Sequence, residues 1–590
     1  MDETTSIMET PCPCIGLSGG IMNRRNFMKQ SSLSLVAVAA GCKTEGGTEP
    51  GHDASIIDAH CHVFNASDLP TARFLRQVVF DDFPKQSAKI LAIRDPDVAD
   101  EFYKVIVLLL GADKAPSADQ ENAYLTTGRH ARLSAQSADN ARQAAVEDTA
   151  QHLLELDRKS KRIISMNGLS DGSDRAPLAE EKFLNYMLGE PTVTLRADKE
   201  FSYSHARAAS QRAFDGQGAL ARYLNWFSLF RLYRHVLVER LISDTEQQGF
   251  RPIMLTPALV DYDEWLYEDV DASPLPRQML VMDKVSQRMA KKGAVVHGYM
   301  GFDPLREVAY RARKSAVSSL ATTRAALTEH GFIGAKLYPP MGFRASGNSR
   351  PYPMRTVTAL GFDPSKQLDT ALEDLYRLCV ELDAPILAHA AASNGSGPGY
   401  EKRGDPAYWI PVFQKFPSLR VCLAHFGSFD TKSAGREKMP LPQGSWEWRL
   451  GEFVKSHPRQ NVVADISYFS EVLTANNETR MSLAASFRRW LTEFDPDCDH
   501  ILYGSDWIML GKEAGYNHYV ESINAFLRSE CRLSDDACDK IFWRNALRFL
   551  PLAHGSRGRD RLLAYYRRNG LDEALLPSGS PRLLAGLFGR

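Results

Sequence analysis

The sequence has no surplus of charge of either sign. Its 71 lysines and arginines face 72 aspartates and glutamates, which leaves a formal net charge of −1. Nucleic-acid-binding chains concentrate positive charge on one face, and this balance provides no global basic field for such a partner. We therefore expect no nucleic acid among its ligands.

Two common signatures are also missing. The nine cysteines include no CxxC pair, so a zinc site of the CxxC type is unsupported. No GxGxxG follows the first predicted strand, which argues against an open dinucleotide-binding sheet. Two of Cys498, Cys531 and Cys538 could form a disulfide in an oxidising compartment, but sequence alone cannot pair them.

The segment 1–42 has the layout of an export signal. Arg24 and Arg25 precede a short stretch of small and apolar residues at 31–41, which is much too short to span a bilayer core of about 30 Å. The arginine pair resembles a twin-arginine signal, and the residues that end at Cys42 resemble a lipobox, in which the cysteine is lipidated. Cleavage without lipidation and a short buried helix are the alternatives.

These features predict a protein exported to the periplasm or cell envelope. It would touch a membrane only through a lipid on Cys42, and residues 43–52 would form a flexible tether. Met22 lies almost directly before the arginine pair, so we expect translation to start there rather than at Met1.

Eight short apolar segments alternate with helical patterns along the rest of the chain. Several are nearly continuous apolar runs, such as 252–255, as in strands that are covered on both faces. The segments lie at 55–62, 251–257, 293–300, 332–338, 384–389, 419–425, 461–467 and 500–505. Strands that alternate with helices in this number predict an α/β fold, a (β/α)8 TIM barrel.

A long gap breaks this rhythm between the first and second strands. It is rich in helix formers, and 131–161 and 217–245 are each predicted as a long helix. We expect a helical insertion that caps the mouth of the barrel, and a separate domain away from the site is the alternative. The predicted boundaries are 53–69 and 246–553 for the barrel, 70–245 for the insertion and 554–590 for a C-terminal tail.

Histidines and an aspartate follow the predicted strands at one end. Imidazole and carboxylate ligands suit zinc, iron, manganese or nickel, and zinc is the common choice. The carboxyl ends of barrel strands meet on one face, where active sites are built, so the pattern predicts a metal centre there. Singly, each residue has an ordinary explanation, such as capping of the next helix by the aspartate. The candidates are His60, His62, His389, His425 and Asp506.

The motifs around these residues resemble the amidohydrolase superfamily. They are most similar to its amidohydrolase-2 branch, which includes aminocarboxymuconate-semialdehyde decarboxylase. The similarity covers roughly 52–65 and 250–550, and excludes the insertion and the tail. The motifs that carry it are Asp58-x-His60-x-His62, His389, His425-Phe426-Gly427 and Gly504-Ser505-Asp506-Trp507.

The resemblance implies a division of roles. One divalent metal would be bound by four residues and would lower the pKa of a bound water from about 15.7 toward about 7. His425 would stay off the metal and polarise the water or the substrate, and Asp506 would also pass a proton to the leaving group. The implied metal ligands are His60, His62, His389 and Asp506.

The implied activity is that of a metal-dependent hydrolase acting on a small-molecule substrate with an amide, lactone or ester-like bond. A non-oxidative decarboxylase on the same site is the first alternative. A surface lipoprotein that uses the barrel for binding without catalysis is the second. The sequence leaves open whether the chain forms a homo-oligomer.

Lys336, near the end of the predicted fourth strand, affects the metal count. In binuclear members of the superfamily a carboxylated lysine near this position bridges two metals, and both later histidines are ligands. We favour one metal because the surrounding motifs resemble the mononuclear branch. An unmodified Lys336 could instead bind a substrate anion together with Arg344, although Arg344 also fits an ordinary surface loop.

Overall fold

A computed structural model describes the part of the chain that forms the barrel and most of the insertion. Outside it lie the predicted export signal with Cys42, the tether at 43–52 and the end of the tail at 579–590. No helix in the described part is both long and apolar enough to cross a membrane. The described residues are 54–578, apart from 69, 71–92, 94, 130–131, 168–175, 190–200, 267–272, 350–351, 353, 394, 398 and 427–440.

Eight parallel strands form the centre of the described fold. The residues of β1 and of β3 to β8 are all buried, as expected for strands covered on both faces. The strands are β1 (Ser55–Cys61), β2 (Arg251–Pro257), β3 (Tyr299–Gly301), β4 (Gly334–Leu337), β5 (Ile386–His389), β6 (Val421–Ala424), β7 (Val462–Asp465) and β8 (Ile501–Leu502). All pair in chain order, β1 with β2 and β3 through β8.

The sheet closes on itself between β8 and β1. The backbone amides of Ser505 and Asp506 both donate to the carbonyl of His60, over 3.0 and 2.8 Å. On the other side, an isolated parallel bridge between Leu255 and Val296 connects β2 to the segment before β3. The predicted barrel is therefore confirmed.

β3 is shorter than the segment predicted at 293–300. Regular pairing with β4 begins only at Tyr299, although the residues before it already hydrogen-bond to β2 through Leu255. A Cβ at Gly298 would lie 2.9 Å from the carbonyl oxygen of Pro257. Apolar periodicity predicts the position of this strand but not where its regular pairing begins.

Helices cover the barrel and fill the insertion. Within the described residues, those before β2 are α1 (Pro96–Leu109), α2 (Ala118–Thr127), α3 (Ala138–Met166), α4 (Ala179–Leu188), α5 (Tyr203–Asp215), α6 (Ala219–Leu229) and α7 (Arg234–Glu246). Those after β2 are α8 (Asp263–Leu266), α9 (Leu275–Ala290), α10 (Pro304–Arg311), α11 (Ser319–Glu329), α12 (Met354–Leu360), α13 (Ser365–Leu382), α14 (Ile410–Lys415), α15 (Trp446–Ser456), α16 (Glu471–Thr474), α17 (Asn477–Phe494), α18 (Tyr519–Ala525), α19 (Asp535–Asp539), α20 (Asn545–Phe549) and α21 (Arg557–Asn569).

The prediction of one helix over 217–245 is wrong. The chain turns at 230–233, between α6 and α7. Arg231 lies in this turn and Arg234 directly follows it, and the two side chains contact different partners. Arg231 is buried against Asp148 of α3, with 2.7 Å between Nη1 and the carboxylate, whereas Arg234 enters a separate buried cluster. A continuous helix would place both arginines on nearly the same face.

Arg234 connects the insertion to the loop that follows β1. Its Nε donates to Asp68 over 3.0 Å, and its guanidinium also pairs with Glu121 of α2. All three side chains are fully buried. Burial raises the pKa of Asp68, and the neighbouring guanidinium opposes that rise. The cluster therefore connects α7 and α2 to the loop that follows β1.

The predicted C-terminal tail includes α21, which packs on the barrel. Tyr565 and Tyr566 are buried there. Arg561 donates to the carbonyls of Leu327 and Leu382, near the ends of α11 and α13, over 2.7 and 3.0 Å. The described cysteines at 498, 531 and 538 are free thiols, so the disulfide considered from the sequence is not formed.

Replacing Arg234 by methionine should destabilise the protein strongly, because it leaves Asp68 and Glu121 buried without their cation. We expect the free energy of unfolding to fall by about 3–5 kcal/mol in urea denaturation. Arg324→Met is the matched control, since Arg324 forms an exposed pair with Glu381. That variant should lose less than about 1 kcal/mol. Equal losses in the two variants would contradict a structural role for the buried cluster.

Candidate metal centre

The strand ends bring three potential metal ligands together. His60 lies on β1, His425 directly follows β6, and Asp506 follows β8. One ligand atom from each residue lies within 4.8 Å of the others, and all three side chains are buried. His62 joins this group through its Nε2, which lies 3.2 Å from Oδ1 of Asp506.

His389, the last residue of β5, completes the histidine set. Its ring lies 4.6 Å from that of His425 between centroids. Its Nε2 is buried and has no hydrogen-bond partner among the described residues. A buried nitrogen without a partner is costly, and a metal ion is a partner that would satisfy it. The donor set therefore fits a metal.

Asp465, the last residue of β7, orients two of these histidines. Its carboxylate accepts a hydrogen bond from Nδ1 of His60 over 3.0 Å and from the amide of His425 over 2.9 Å. Burial would raise its pKa, but the adjacent His60 holds that pKa well below the usual range. A carboxylate behind a ligand histidine fixes the ring and raises its basicity as a metal ligand.

Asp465 was not among the residues predicted from the sequence, although the same signal was present. It ends the apolar run Val462–Ala464 at the same end of the barrel as the histidines. Its role differs from that of a metal ligand, because its carboxylate contacts Nδ1 of His60 and the backbone amide of His425.

Hydrogen bonds on the far sides of the rings also set which nitrogen faces the site. Nδ1 of His62 lies 2.8 Å from the carbonyl of Ala258, which can only accept, so Nδ1 carries the proton. Nε2 of His62 then faces Oδ1 of Asp506. Ser467 Oγ lies 2.9 Å from Nδ1 of His425 and holds that ring in a similar way.

The electrostatics favour the forms that bind metal. Burial lowers the pKa of His60 to about 3, with Lys336 adding to the effect, and burial also lowers the pKa values of His389 and His425. Burial would raise the pKa of Asp506, but its hydrogen bond with His62 and nearby histidines hold it below the usual range. Neutral imidazoles beside an ionised carboxylate are the forms that coordinate a cation.

Two of the site residues adopt unusual backbone conformations. His425 has φ 66° and Asp506 has φ 55°, in the left-handed region that residues other than glycine rarely adopt. Such strained conformations persist where several surrounding contacts hold the backbone in place, and they cluster at functional sites. Here the amide of His425 donates to Asp465 and that of Asp506 to His60.

Asp58 connects the two strands that carry His60 and Asp506. Its carboxylate accepts from Oγ of Ser505 over 2.5 Å and from the amide of Ser505 over 3.0 Å. It also accepts from the amide of His60 over 3.3 Å. The aspartate of the first-strand motif therefore hydrogen-bonds to both strands and stabilises the closure of the barrel between β8 and β1.

Lys336 lies inside the site, and Arg344 lies in different contacts. Nζ of Lys336 is 3.1 Å from Nε2 of His60, and burial lowers the pKa of this lysine to about 8. The guanidinium of Arg344 stacks over Tyr408 at 4.6 Å, and its amide donates to Asn348. No contact between Lys336 and Arg344 is found within the described residues, and their roles in substrate binding stay predictions.

The sequence of this region matches a known family. Residues 302–552, from the end of β3 to beyond β8, match the amidohydrolase family (Amidohydro_2). This region of the chain belongs to the amidohydrolase family. The match includes Lys336, His389, His425, Asp465 and Asp506. Amidohydrolases are metal-dependent, in agreement with the buried group of His60, His425 and Asp506.

Several solved structures are similar to this chain. One is an amidohydrolase from Burkholderia multivorans, with 12% identity, a TM-score of 0.34, and coverage of 55% of this chain and 91% of that chain. A second is 5-carboxyvanillate decarboxylase from Sphingomonas paucimobilis, with 14% identity, a TM-score of 0.32, and coverage of 53% and 82%. A third is 4-oxalomesaconate hydratase from Rhodopseudomonas palustris, with 15% identity, a TM-score of 0.32, and coverage of 57% and 84%.

A curated protein also matches part of the chain. It is the nuclear distribution protein PAC1 of Gibberella zeae, which is 29% identical over 136 residues. The match covers 20% of this chain and 29% of that protein, so the chain spans less than a third of its length.

Replacing Asp465 by asparagine should weaken metal binding, because the amide cannot supply the charge that orients and polarises His60. We expect a 10- to 100-fold loss of zinc affinity, measured by competition with a chromogenic chelator. Asp283→Asn is the matched control, since Asp283 also contacts a histidine, His330 at 2.8 Å, but on the outer helices. Unchanged zinc affinity in the Asp465 variant would contradict its role.

Proposed function

We propose that this amidohydrolase uses one divalent metal, zinc being the common choice, to hydrolyse an amide, lactone or ester-like bond in a small molecule. The observation that carries the proposal is the buried group of His60, His425 and an ionised Asp506, with the ring of His389, whose Nε2 has no partner among the described residues, 4.6 Å from that of His425. We further propose that the protein acts in the periplasm or cell envelope, which the signal-like sequence of 1–42 supports.

The residues divide the work by position. His60, His62, His389 and Asp506 would hold the metal, which when bound lowers the pKa of a water toward about 7. Asp506 is ionised and lies at the barrel mouth, so it can accept a proton from the attacking water and return it to the leaving group. His425 is held by Ser467 and is suited to orient the water or the substrate carbonyl.

Lys336 can stabilise negative charge at the reacting centre. It is buried beside His60, and no carboxylate of the described residues lies within hydrogen-bond distance of its Nζ. An ammonium group in such a low-dielectric site interacts strongly with charge that develops on a substrate oxygen. The buried position of Lys336 beside His60 supports the substrate-binding role proposed for it as an unmodified lysine.

The proposal is tested with purified full-length protein loaded with zinc. We expect about one zinc per chain, and acid release from a panel of lactones, amides and esters followed by titration at constant pH. Release of CO2 from carboxylic acids without acid production would instead identify a decarboxylase. Absence of stoichiometric metal in protein purified without chelators would favour the non-enzymatic binding role.

His60→Ala and His425→Ala separate the two metal schemes. Loss of His60 removes a ligand held by Asp465, so we expect both zinc and turnover to be lost. Loss of His425 should leave about one zinc per chain while turnover falls by at least about 100-fold, as for loss of a general acid or base. Zinc content by elemental analysis is the readout, and loss of metal in the His425 variant would favour the binuclear scheme.

A further inference from the structure

The segment 258–266, which follows β2 and includes α8, directs three acidic side chains at one arginine. We call this segment the β2 loop. Arg306 of α10 donates from Nε and Nη2 to the two carboxylate oxygens of Asp261, over 2.8 and 2.6 Å. Its guanidinium also lies 3.2 Å from Asp263 and 3.3 Å from Glu264. One positive charge is therefore shared by three carboxyl groups.

A fourth carboxyl group, that of Asp303, lies beside this cluster at the start of α10. Its Oδ1 accepts from Nε1 of Trp265 in the β2 loop over 2.8 Å and from the amide of Leu305 over 2.9 Å. The side chain is buried, and burial raises the pKa of Asp303 well above the usual range, with Asp261 adding to the rise. Asp303 is therefore uncharged at neutral pH and leaves Arg306 to the other three.

Asp263 is the member of the cluster that changes charge near neutral pH. Its side chain is 33% exposed, so it can exchange a proton with solvent while the protein stays folded. Burial raises the pKa of Asp263 to about 6; Asp261 and Glu264 add to the rise, and Arg306 opposes it. A carboxyl group whose pKa is raised in the folded protein stabilises its contacts when protonated, and that stabilisation is lost as the pH rises through the raised pKa.

The β2 loop reaches the metal centre through two aromatic rings. Tyr262 lies between Asp261 and Asp263 in the sequence, and its ring centroid is 5.3 Å from that of Tyr338. The ring of Tyr338 in turn lies 4.5 Å from that of His389, between centroids. The position of the β2 loop therefore affects the packing around one of the candidate metal ligands.

We propose that the β2 loop is a pH-sensitive clamp, which Arg306 holds tightly against α10 while Asp263 is protonated and less tightly once Asp263 is ionised. The physical reason is repulsion between carboxylates that share one guanidinium where little water screens them. Loosening of the loop also loosens the packing of Tyr262 and Tyr338 beside His389. This inference concerns the loop and does not depend on which reaction the site carries out.

The test is amide hydrogen exchange of residues 259–266 in the full-length protein, measured by mass spectrometry. Asp263→Asn keeps the size of the side chain and removes its charge, so it represents the protonated state. At about pH 7.5 we expect the loop to exchange at least about threefold more slowly in this variant than in the wild type. At about pH 5 the two proteins should agree within about 1.5-fold, because the wild-type carboxyl group is then protonated.

Asp374→Asn is the matched control. Asp374 also accepts from an arginine of α10, Arg311, over 2.9 Å, but on the outer side of the barrel. Its replacement should leave exchange of the β2 loop unchanged at both pH values. Comparison of each variant with the wild type at the same pH removes the intrinsic pH dependence of hydrogen exchange.

Release of zinc into an excess of chelator tests the connection to the metal centre. At about pH 7.5 we expect zinc-loaded Asp263→Asn to release the metal at least about twofold more slowly than the wild type, since local opening of the loop is suppressed. Slower exchange of the loop with unchanged release of zinc would contradict the connection through Tyr262 and Tyr338.

The remaining outcomes decide the clamp itself. Equal exchange in Asp263→Asn and the wild type at about pH 7.5 would overturn it. Equal slowing at both pH values would show a fixed structural effect and overturn the pH sensitivity. The same slowing in Asp374→Asn would point to a nonspecific effect of charge and contradict the assignment. Failure of the wild-type protein to take up zinc would remove the proposed function, and the exchange experiment would still decide the clamp.

Discussion

The carboxylate of Asp465 is the interaction on which the site depends. It is fully buried, and such a charge is tolerated only when hydrogen bonds and neighbouring positive charge compensate for lost solvation. Those hydrogen bonds come from the ring of His60 and the backbone of His425 and Ser467. The groups that stabilise the carboxylate of Asp465 therefore include the histidines whose orientation the metal centre requires.

Closure of the barrel supplies the second constraint. The carbonyl of His60 accepts hydrogen bonds from the amides of Ser505 and Asp506. Asp58 also connects β1 to the segment after β8, because its carboxylate accepts from the amide of Ser505. Residues far apart in sequence, at the first and last strands, are thereby brought within a few ångströms. The insertion contacts the same region, since Trp226 hydrogen-bonds to the carbonyl of Ile508 in the loop after Asp506. The buried cluster around Arg234 fixes that insertion in place.

Much of this arrangement could be predicted from the sequence, because strands covered on both faces leave apolar runs and ligands follow their ends. The eight strand positions and the convergence of His60, His425 and Asp506 were predicted in that way. The break between α6 and α7 was not, since it depends on partners of Arg231 and Arg234 that lie far away in the sequence. Asp465 carried a usable signal and was overlooked.

The central claim is that distant strand ends hold one cation at the barrel mouth. Anomalous diffraction at the zinc absorption edge, on crystals of the zinc-loaded protein, tests it most directly. The account predicts one strong anomalous peak per chain, with ligand atoms at about 2.0–2.2 Å from the histidines and Asp506. A peak elsewhere, or none within bonding distance of His60 and Asp506, would contradict it.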